Sequence, residues 1–254
     1  MKKRNFLYLS FLLLAPLTAC DIFKNPSEEQ PVIETDEGFT SISKDGLTIK
    51  VAPELASNVS YDNVRKEFLI LNTIDQAEYW VSGSSSSRIR FSPSCKESAV
   101  LILNSANITT DSGSSPVLWE SDLKKLELKV QKGTENFLTA TRDDVPAVES
   151  INNLDIGGGG ILNLASKNAS CIVCDRLTLK GTGTFNVKSD GKHGIKCKSF
   201  EAKETYAFCF RISILFGSVC EILSIIEAAS VRFPVCRKHL EYASATSRLF
   251  GVLS

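Results

Sequence analysis

A short pattern occurs twice, without a gap, between residues 153 and 187. Alternating apolar residues lead into two glycines at alternate positions, and an apolar-Asn-apolar triplet ends each copy. The first copy runs from Leu154 to Leu164 and the second from Leu177 to Val187, so that matching residues are 23 positions apart. Such a period, with strand-like alternation, is typical of a solenoid, because one repeat cannot bury its own apolar face. The pattern therefore predicts a mainly β fold, a parallel β-helix or β-solenoid.

The offset also predicts which side chains stack on one another. Strands of successive coils lie about 4.8 Å apart, which would place Leu162 next to Phe185. Asn163 would lie next to Asn186, and stacked amides of this kind stabilise aligned strands. The paired glycines of each copy suit a corner at which φ is positive. A β-sandwich is the alternative fold with many short strands, but it does not require an ungapped repeat.

The repeat ends abruptly. A third copy begins at Ile195 and continues to Ala202, but Glu204 and Tyr206 stand where glycines are due. The chain then becomes rich in Cys and Ile, so residues 206–254 are interpreted as an atypical tail. One hypothesis is that this tail is truncated or read out of frame. The alternative is an amphipathic helix that caps the open end of the solenoid, since exposed strand edges need covering.

The N-terminus has the features of a targeting segment. Three basic residues precede an apolar stretch, Phe6 to Leu14, that is too short to span a membrane comfortably. Residues 17–20, Leu-Thr-Ala-Cys, resemble the bacterial lipobox, in which the cysteine becomes the first mature residue and carries lipid. We therefore predict a lipoprotein signal peptide over residues 1–19 and lipidation of Cys20, with an ordinary signal peptide as the alternative. The expected location is a bacterial membrane, facing the periplasm or the cell exterior.

The rest of the chain divides by composition and pattern. Residues 20–38 are predicted to be a flexible tether, because Asn25 to Glu37 holds two prolines and five acids and cannot offset its ordering entropy. Residues 39–82 are a small lead-in region, and residues 83–205 are the β-helix. A loop is expected to protrude at Thr139 to Pro146, because 28 residues separate Leu126 from Leu154.

The order of motifs resembles a family of bacterial surface proteins that carry a β-helical carbohydrate-binding domain. The resemblance extends from about Trp80 to Lys203, and its motifs are residues 100–108, 114–117, 133–139, the two glycine-containing copies and 190–196. It implies a right-handed β-helix, a secreted and often lipid-anchored context, and a glycan as partner. It carries no set of binding residues over to this chain.

The cysteines have three possible roles, as metal ligands, as disulfides or as small core residues. Seven of the eight lie beyond the predicted signal peptide and lipidation site, and an odd number argues against a closed disulfide framework. The 23-residue offset places Cys171 over Val148 and Cys174 over Ile151, which predicts small apolar core residues. A structural zinc normally needs four ligands, which these cysteines do not supply, so no metal is expected. No other cofactor is expected either. A disulfide between Cys174 and Cys197 on stacked coils remains open.

Catalysis is not predicted. Polysaccharide lyases and hydrolases with this fold need acids, or acids with a Lys or Arg base, on adjacent coils. The offset places Asp155 next to Thr178, so no ladder of carboxylates is expected, and Asp143-Asp144 is interpreted as a solvated turn. An active polysaccharide lyase or hydrolase is therefore only the third hypothesis for the function.

Sugar binding generally uses exposed aromatic side chains with polar neighbours. Trp119 is the candidate ligand-binding residue, with Trp80 and Tyr79 behind it, and a core or cap role is the alternative for either tryptophan. The 29 basic and 29 acidic residues balance, so nucleic acid is not an expected partner. The predicted function is a membrane-anchored surface lipoprotein with a non-catalytic, carbohydrate-binding β-helix. The alternative is a structural or adhesive surface protein that binds another protein.

Overall fold

Strands make up most of the computed structural model, which describes residues 30–36, 38–203, 209–216, 219–225 and 231–234, with side chains for the first two ranges. A 3-10 helix, Pro53–Asn58, lies between the third and fourth strands. The strands are β1 (Val32–Asp36), β2 (Phe39–Lys44), β3 (Leu47–Val51), β4 (Val59–Asp62), β5 (Glu67–Ile70), β6 (Ala77–Ser85), β7 (Arg88–Phe91), β8 (Ala99–Thr110), β9 (Val117–Trp119), β10 (Leu126–Val130), β11 (Glu135–Asp143), β12 (Val148–Ser150), β13 (Leu154–Gly158), β14 (Ile161–Lys167), β15 (Ile172–Leu179), β16 (Thr184–Asp190), β17 (Ile195–Ala202), β18 (Cys209–Phe216), β19 (Val219–Ile225) and β20 (Val231–Pro234).

These strands form a parallel β-solenoid, which confirms the predicted fold class. Three parallel ladders run along it, one for each side of the coil. Face A contains β10 and β13 with parts of β6, β8, β15 and β17. Face B contains β11, β14, β16 and β18 with parts of β6 and β8. Face C contains β5, β7, β9 and β12 with parts of β15 and β17.

The two copies stack with the predicted register. Leu162 lies opposite Phe185 and Asn163 opposite Asn186. The inward side chains form ladders such as Leu101, Leu128 and Ile156, which are all 0 % exposed. Burying an aliphatic side chain of this size contributes roughly 1.5–3 kcal/mol. The stack of such ladders is therefore the hydrophobic core.

One stretch of the predicted register is wrong by a residue. On face C, Val148 lies opposite Ile172, an offset of 24 instead of 23. The cause is the corner that follows. It holds three residues between Ser150 and Leu154, whereas the equivalent corner of the next coil holds two. Cys171 and Cys174 therefore do not stack on the residues expected, although both are buried as predicted.

The corner glycines serve two different purposes. Gly158 and Gly181 have φ values of 110° and 94°, as predicted. Gly160 and Gly183 adopt ordinary φ values, but a Cβ at Gly160 would lie 2.2 Å from the carbonyl oxygen of Gln131. Close approach between neighbouring coils explains this second pair.

Antiparallel strands cover the first edge of the solenoid. β1, β2 and β3 form a meander, β3 pairs with β6, and β4 pairs with β5. This arrangement saturates edges that would otherwise be open to other chains. The parallel ladders thus begin at β5, before the predicted boundary at residue 83.

Two segments predicted as flexible or looped contain strands. Val32–Asp36, in the predicted tether, pairs with β2 even though its side chains are exposed. β11 continues to Asp143, with an irregularity between Ala140 and Asp143. A bulge absorbs extra residues within a strand, so much of the predicted loop at Thr139 to Pro146 is sheet.

The described parts of the tail are also strands. β18 continues face B in parallel with β16, whereas β20 pairs antiparallel with β17. These segments are therefore not the amphipathic helix that was the alternative interpretation of the tail. The signal peptide, Cys20 and residues 235–254 lie outside the described residues. Within the described residues, no helix has the length and apolar character needed to cross a membrane.

Candidate functional site

The outward side of face B is a largely uncharged surface. Its residues alternate with buried core residues along β8, β11, β14 and β16. We call this surface the face B platform, and its members are Asn107, Thr109, Phe137, Thr139, Ile161, Asn163, Ala165, Thr184 and Asn186. Glu135, Lys167 and Lys188 are the charged residues that lie next to platform members on the same side of these strands.

An exposed aromatic ring occupies the platform. Phe137 lies opposite Asn107 on one neighbouring strand and Asn163 on the other. Its side chain is 38 % exposed. Thr139, on the same side of β11, lies opposite Thr109. An apolar ring therefore lies between two amides and beside two hydroxyls, a combination of apolar contact and placed polar groups that suits a small-molecule site.

Hydrogen bonds orient the amides of the platform. Asn186 Nδ2 donates to Asn163 Oδ1 at 2.8 Å, which confirms the predicted amide ladder. Asn163 Nδ2 donates to Glu135 Oε1 at 3.0 Å and to the Asn136 carbonyl at 3.3 Å. These bonds leave the Asn163 and Asn186 amides in fixed orientations at the surface. A preformed row of polar groups lowers the entropy lost on ligand binding.

The three aromatic residues singled out in the sequence occupy different places. Trp119 is 0 % exposed, packs on Phe91 with ring centroids 5.1 Å apart, and donates from Nε1 to the Lys124 carbonyl at 3.2 Å. Tyr79 is also fully buried. Trp80 is partly exposed on face A, where its Nε1 donates to Glu78 Oε2 at 3.2 Å. Trp119 therefore lies in the core, which was the alternative to a ligand-binding role.

Face A carries a pair of stacked carboxylates that sequence reasoning missed. Glu127 lies directly opposite Asp155, so the expectation that no carboxylates stack is wrong. The coils that contain Glu127 and Asp155 are offset by 28 residues, whereas the 23-residue period pairs Asp155 with Thr178 of the next coil. Lys125 Nζ lies 2.6 Å from Asp155 Oδ2, and Lys180 Nζ lies 2.8 Å from Glu127 Oε2 and 3.4 Å from Asp155 Oδ2.

The geometry around Lys180 argues for an ion-pair network. Burial acts to lower the pKa of Lys180, but hydrogen bonding to Glu127 and the charge of Asp155 outweigh it, so the pKa is raised. Gly157 makes room for this side chain, because a Cβ there would lie 2.9 Å from Lys180 Cγ. A lysine that acts as a general base needs a lowered pKa. The raised pKa therefore keeps Lys180 as a cation within this ion-pair network.

The paired acids at the end of β11 are exposed and paired with lysines of later coils. Lys167 Nζ lies 3.2 Å from Asp143 Oδ1, and Asn168 Nδ2 donates to the same oxygen at 3.2 Å. Lys192 pairs with Asp144, whose side chain is 71 % exposed. The turn is thus solvated, as interpreted from the sequence, and its charges are balanced.

Four cysteines lie within the described side chains, and all are free thiols. Burial raises the pKa of Cys95 and of Cys171 to about 11. Cys174 lies directly opposite Cys197 on adjacent coils. Across the part of the chain that the structure describes, no group of three or more His, Cys, Asp or Glu side chains could hold a metal ion.

Comparison with known proteins gives one family. The model of the family described as "Carbohydrate-binding domain-containing protein" matches residues 71–200, which is half of the chain. The match includes the whole face B platform. It also includes the face A cluster, which consists of Lys125, Glu127, Asp155 and Lys180. No significant match was found among curated proteins. None was found among solved structures either.

Proposed function

The chain belongs to the carbohydrate-binding domain-containing protein family, and from this premise we propose that it is a non-catalytic module that binds glycan on the face B platform. The observation that carries the proposal is Phe137, an exposed ring flanked in register by Asn107 and Asn163. A sugar ring can pack its C–H face on the phenyl ring while the amides bond its hydroxyls.

The platform favours an uncharged glycan. Its members are amides, hydroxyls and apolar side chains, and the charged group nearest to Phe137 along β11 is Glu135. That carboxylate accepts a hydrogen bond from Asn163 and so helps to orient the amide. An acidic sugar placed on Phe137 would face the like charge of Glu135, the nearest charged residue on that strand, which disfavours binding there. Neutral hexose polymers are the ligand class that fits.

Replacing Phe137 with alanine is expected to weaken glycan binding about tenfold or more, since an aromatic contact contributes roughly 1.5 kcal/mol. The ligand would first be identified on an array that holds neutral and uronate-containing glycans. Isothermal titration calorimetry with the strongest neutral glycan would then compare the variant with the unaltered protein.

Phe39→Ala is the matched control, because Phe39 is 44 % exposed on β2, outside the platform. It should bind as the unaltered protein does. Equal binding by Phe137→Ala and the unaltered protein would contradict the platform as the site. An array without any bound glycan would instead favour the alternative of a protein partner.

We also propose that the protein is anchored to a bacterial membrane by lipid on Cys20. The support is the sequence of residues 17–20, Leu-Thr-Ala-Cys, behind a basic and then apolar N-terminus. Stable anchoring requires more than one acyl chain. A lipidated surface module would hold the glycan site at the cell boundary.

Cys20→Ser is expected to move the protein from the membrane fraction of a bacterial host to the soluble fraction, because no acyl chain can then be attached. Immunoblotting of fractions and intact-mass measurement would record the change. Cys236→Ser, the same substitution elsewhere, should leave the protein in the membrane fraction. Retention of the Cys20→Ser protein at the membrane, without added lipid mass, would contradict the anchor.

A further inference from the structure

Two thiols meet near the end of the repeat. Cys174 on β15 lies opposite Cys197 on β17, in register between parallel strands. Neighbouring strands of a sheet are about 4.8 Å apart, which lies within the Cα separation of roughly 4.4–6.8 Å that a disulfide spans. The two thiols also share a hydrogen bond. The pair thus requires little backbone movement to become cross-linked.

A cavity gives small molecules access to this pair. Its volume is about 300 Å³, and both thiols line it together with Ile151, Lys196 and Lys198. These last three residues are exposed, and Cys197 is less buried than Cys174. Cys171 differs in this respect, since it is fully buried and its Sγ donates to the Lys188 carbonyl at 2.7 Å.

We propose that Cys174 and Cys197 form a redox site that reacts with small disulfides such as oxidised glutathione and becomes a cross-link between the last two coils of face C. The Cys197 thiolate attacks one sulfur of the small disulfide and releases one small thiol. Cys174, as its thiolate, then attacks the mixed disulfide at Cys197 and releases the second thiol. The protein loses two hydrogens and two electrons, which the small disulfide gains as two thiols.

The order of attack follows from the surroundings of the two sulfurs. Cys197 is the more exposed, and the hydrogen bond with Cys174 lowers its pKa. The same hydrogen bond, with burial, raises the pKa of Cys174. The thiolate is the attacking species, so Cys197 reacts first and Cys174 resolves the mixed disulfide.

The cross-link has a structural consequence where the repeat stops. Beyond Ala202 the sequence lacks the corner glycines of the earlier copies. A covalent bond between β15 and β17 would hold the last coil of face C to its neighbour by restricting the unfolded chain. The oxidised protein should therefore unfold at a higher temperature than the reduced protein, by roughly 6–12 °C.

The test treats the full chain with oxidised glutathione, alkylates the remaining thiols and maps peptides without reduction. The expected result is a cross-link between the peptides that contain Cys174 and Cys197, with the thermal midpoint raised and then restored by reductant. One peptide holds both Cys171 and Cys174, so the Cys171→Ser variant shows which of the two is cross-linked. This variant should keep the cross-link. Cys174→Ala and Cys197→Ala should each lose it.

Two results would overturn the proposal. One is full alkylation of both thiols after oxidation of the unaltered protein. The other is a cross-link that pairs either cysteine with a different partner. Both readouts come from the unaltered chain, so they hold even if a substitution impairs folding.

Discussion

Gly158→Ala is expected to destabilise the protein by roughly 3 kcal/mol or more, through overpacking and backbone strain together. Gly158 has a φ of 110°, and a Cβ there would lie 2.1 Å from the carbonyl oxygen and 2.6 Å from the nitrogen of Val130. These are backbone atoms of the neighbouring coil, which cannot move without opening the parallel ladder. The thermal midpoint should fall by roughly 6–12 °C.

Gly159→Ala is the control for this prediction. Gly159 adopts an ordinary φ, and its added Cβ would meet side-chain atoms of Lys132 and Thr182 at 3.4 Å. Its effect should stay below about 1 kcal/mol. Thermal and chemical denaturation followed by circular dichroism would measure both variants. Equal stability of the two variants would mean that the corner at Gly158 is not constrained as the structure shows.

The repeat made the central part of the fold predictable because side chains that stack between coils must match. The 23-residue period placed Leu162 opposite Phe185 and Asn163 opposite Asn186, and the structure has both pairs. Corners obey a weaker constraint, since they can gain a residue without disturbing the strands. This is why the offset of 24 at Val148 and Ile172 was not found in the sequence.

The cap at the N-terminal end was harder to predict for a different reason. Its strands pair antiparallel, so they carry no repeat, and only the alternation from Leu47 to Val51 indicated a strand. Val32–Asp36 has exposed side chains and is held by backbone pairing with β2, which composition does not reveal.

The candidate site depended on which side of a strand each residue occupies. Phe137 was overlooked, although Leu138 beside it belongs to the apolar ladder and strand alternation therefore directs Phe137 outward. The same rule places Trp119 inward with Val117, both 0 % exposed. Trp119 was predicted as the ligand-binding residue from its aromatic character alone. The inward or outward position of each residue in its strand would instead have indicated Phe137.

The face A cluster shows what a variable coil length conceals. Applied to Glu127, the 28-residue interval gives Asp155 as its neighbour, as the structure shows. Two stacked carboxylates would repel each other, and Lys125 and Lys180 offset this charge at 2.6–2.8 Å. The network therefore contributes to stacking between coils of unequal length.

Trp119→Ala is expected to lower the free energy of unfolding by about 3–5 kcal/mol, the usual cost of deleting a buried tryptophan. The indole is 0 % exposed, packs on Phe91 and donates to the Lys124 carbonyl, so its removal leaves both a cavity and an unpaired acceptor. Trp80→Ala, at a partly exposed position on face A, should cost only about 1 kcal/mol. Urea denaturation would measure both.

The same variant separates a core role from a binding role for Trp119. The Trp119→Ala protein that remains folded should bind the array-selected glycan within about twofold of the unaltered protein, because the indole does not reach the surface. Phe137→Ala should behave in the opposite way, with weakened binding and nearly unchanged stability, since its ring is already part-exposed. Unchanged stability with lost affinity in Trp119→Ala would place Trp119 at the ligand and remove the face B platform from that role.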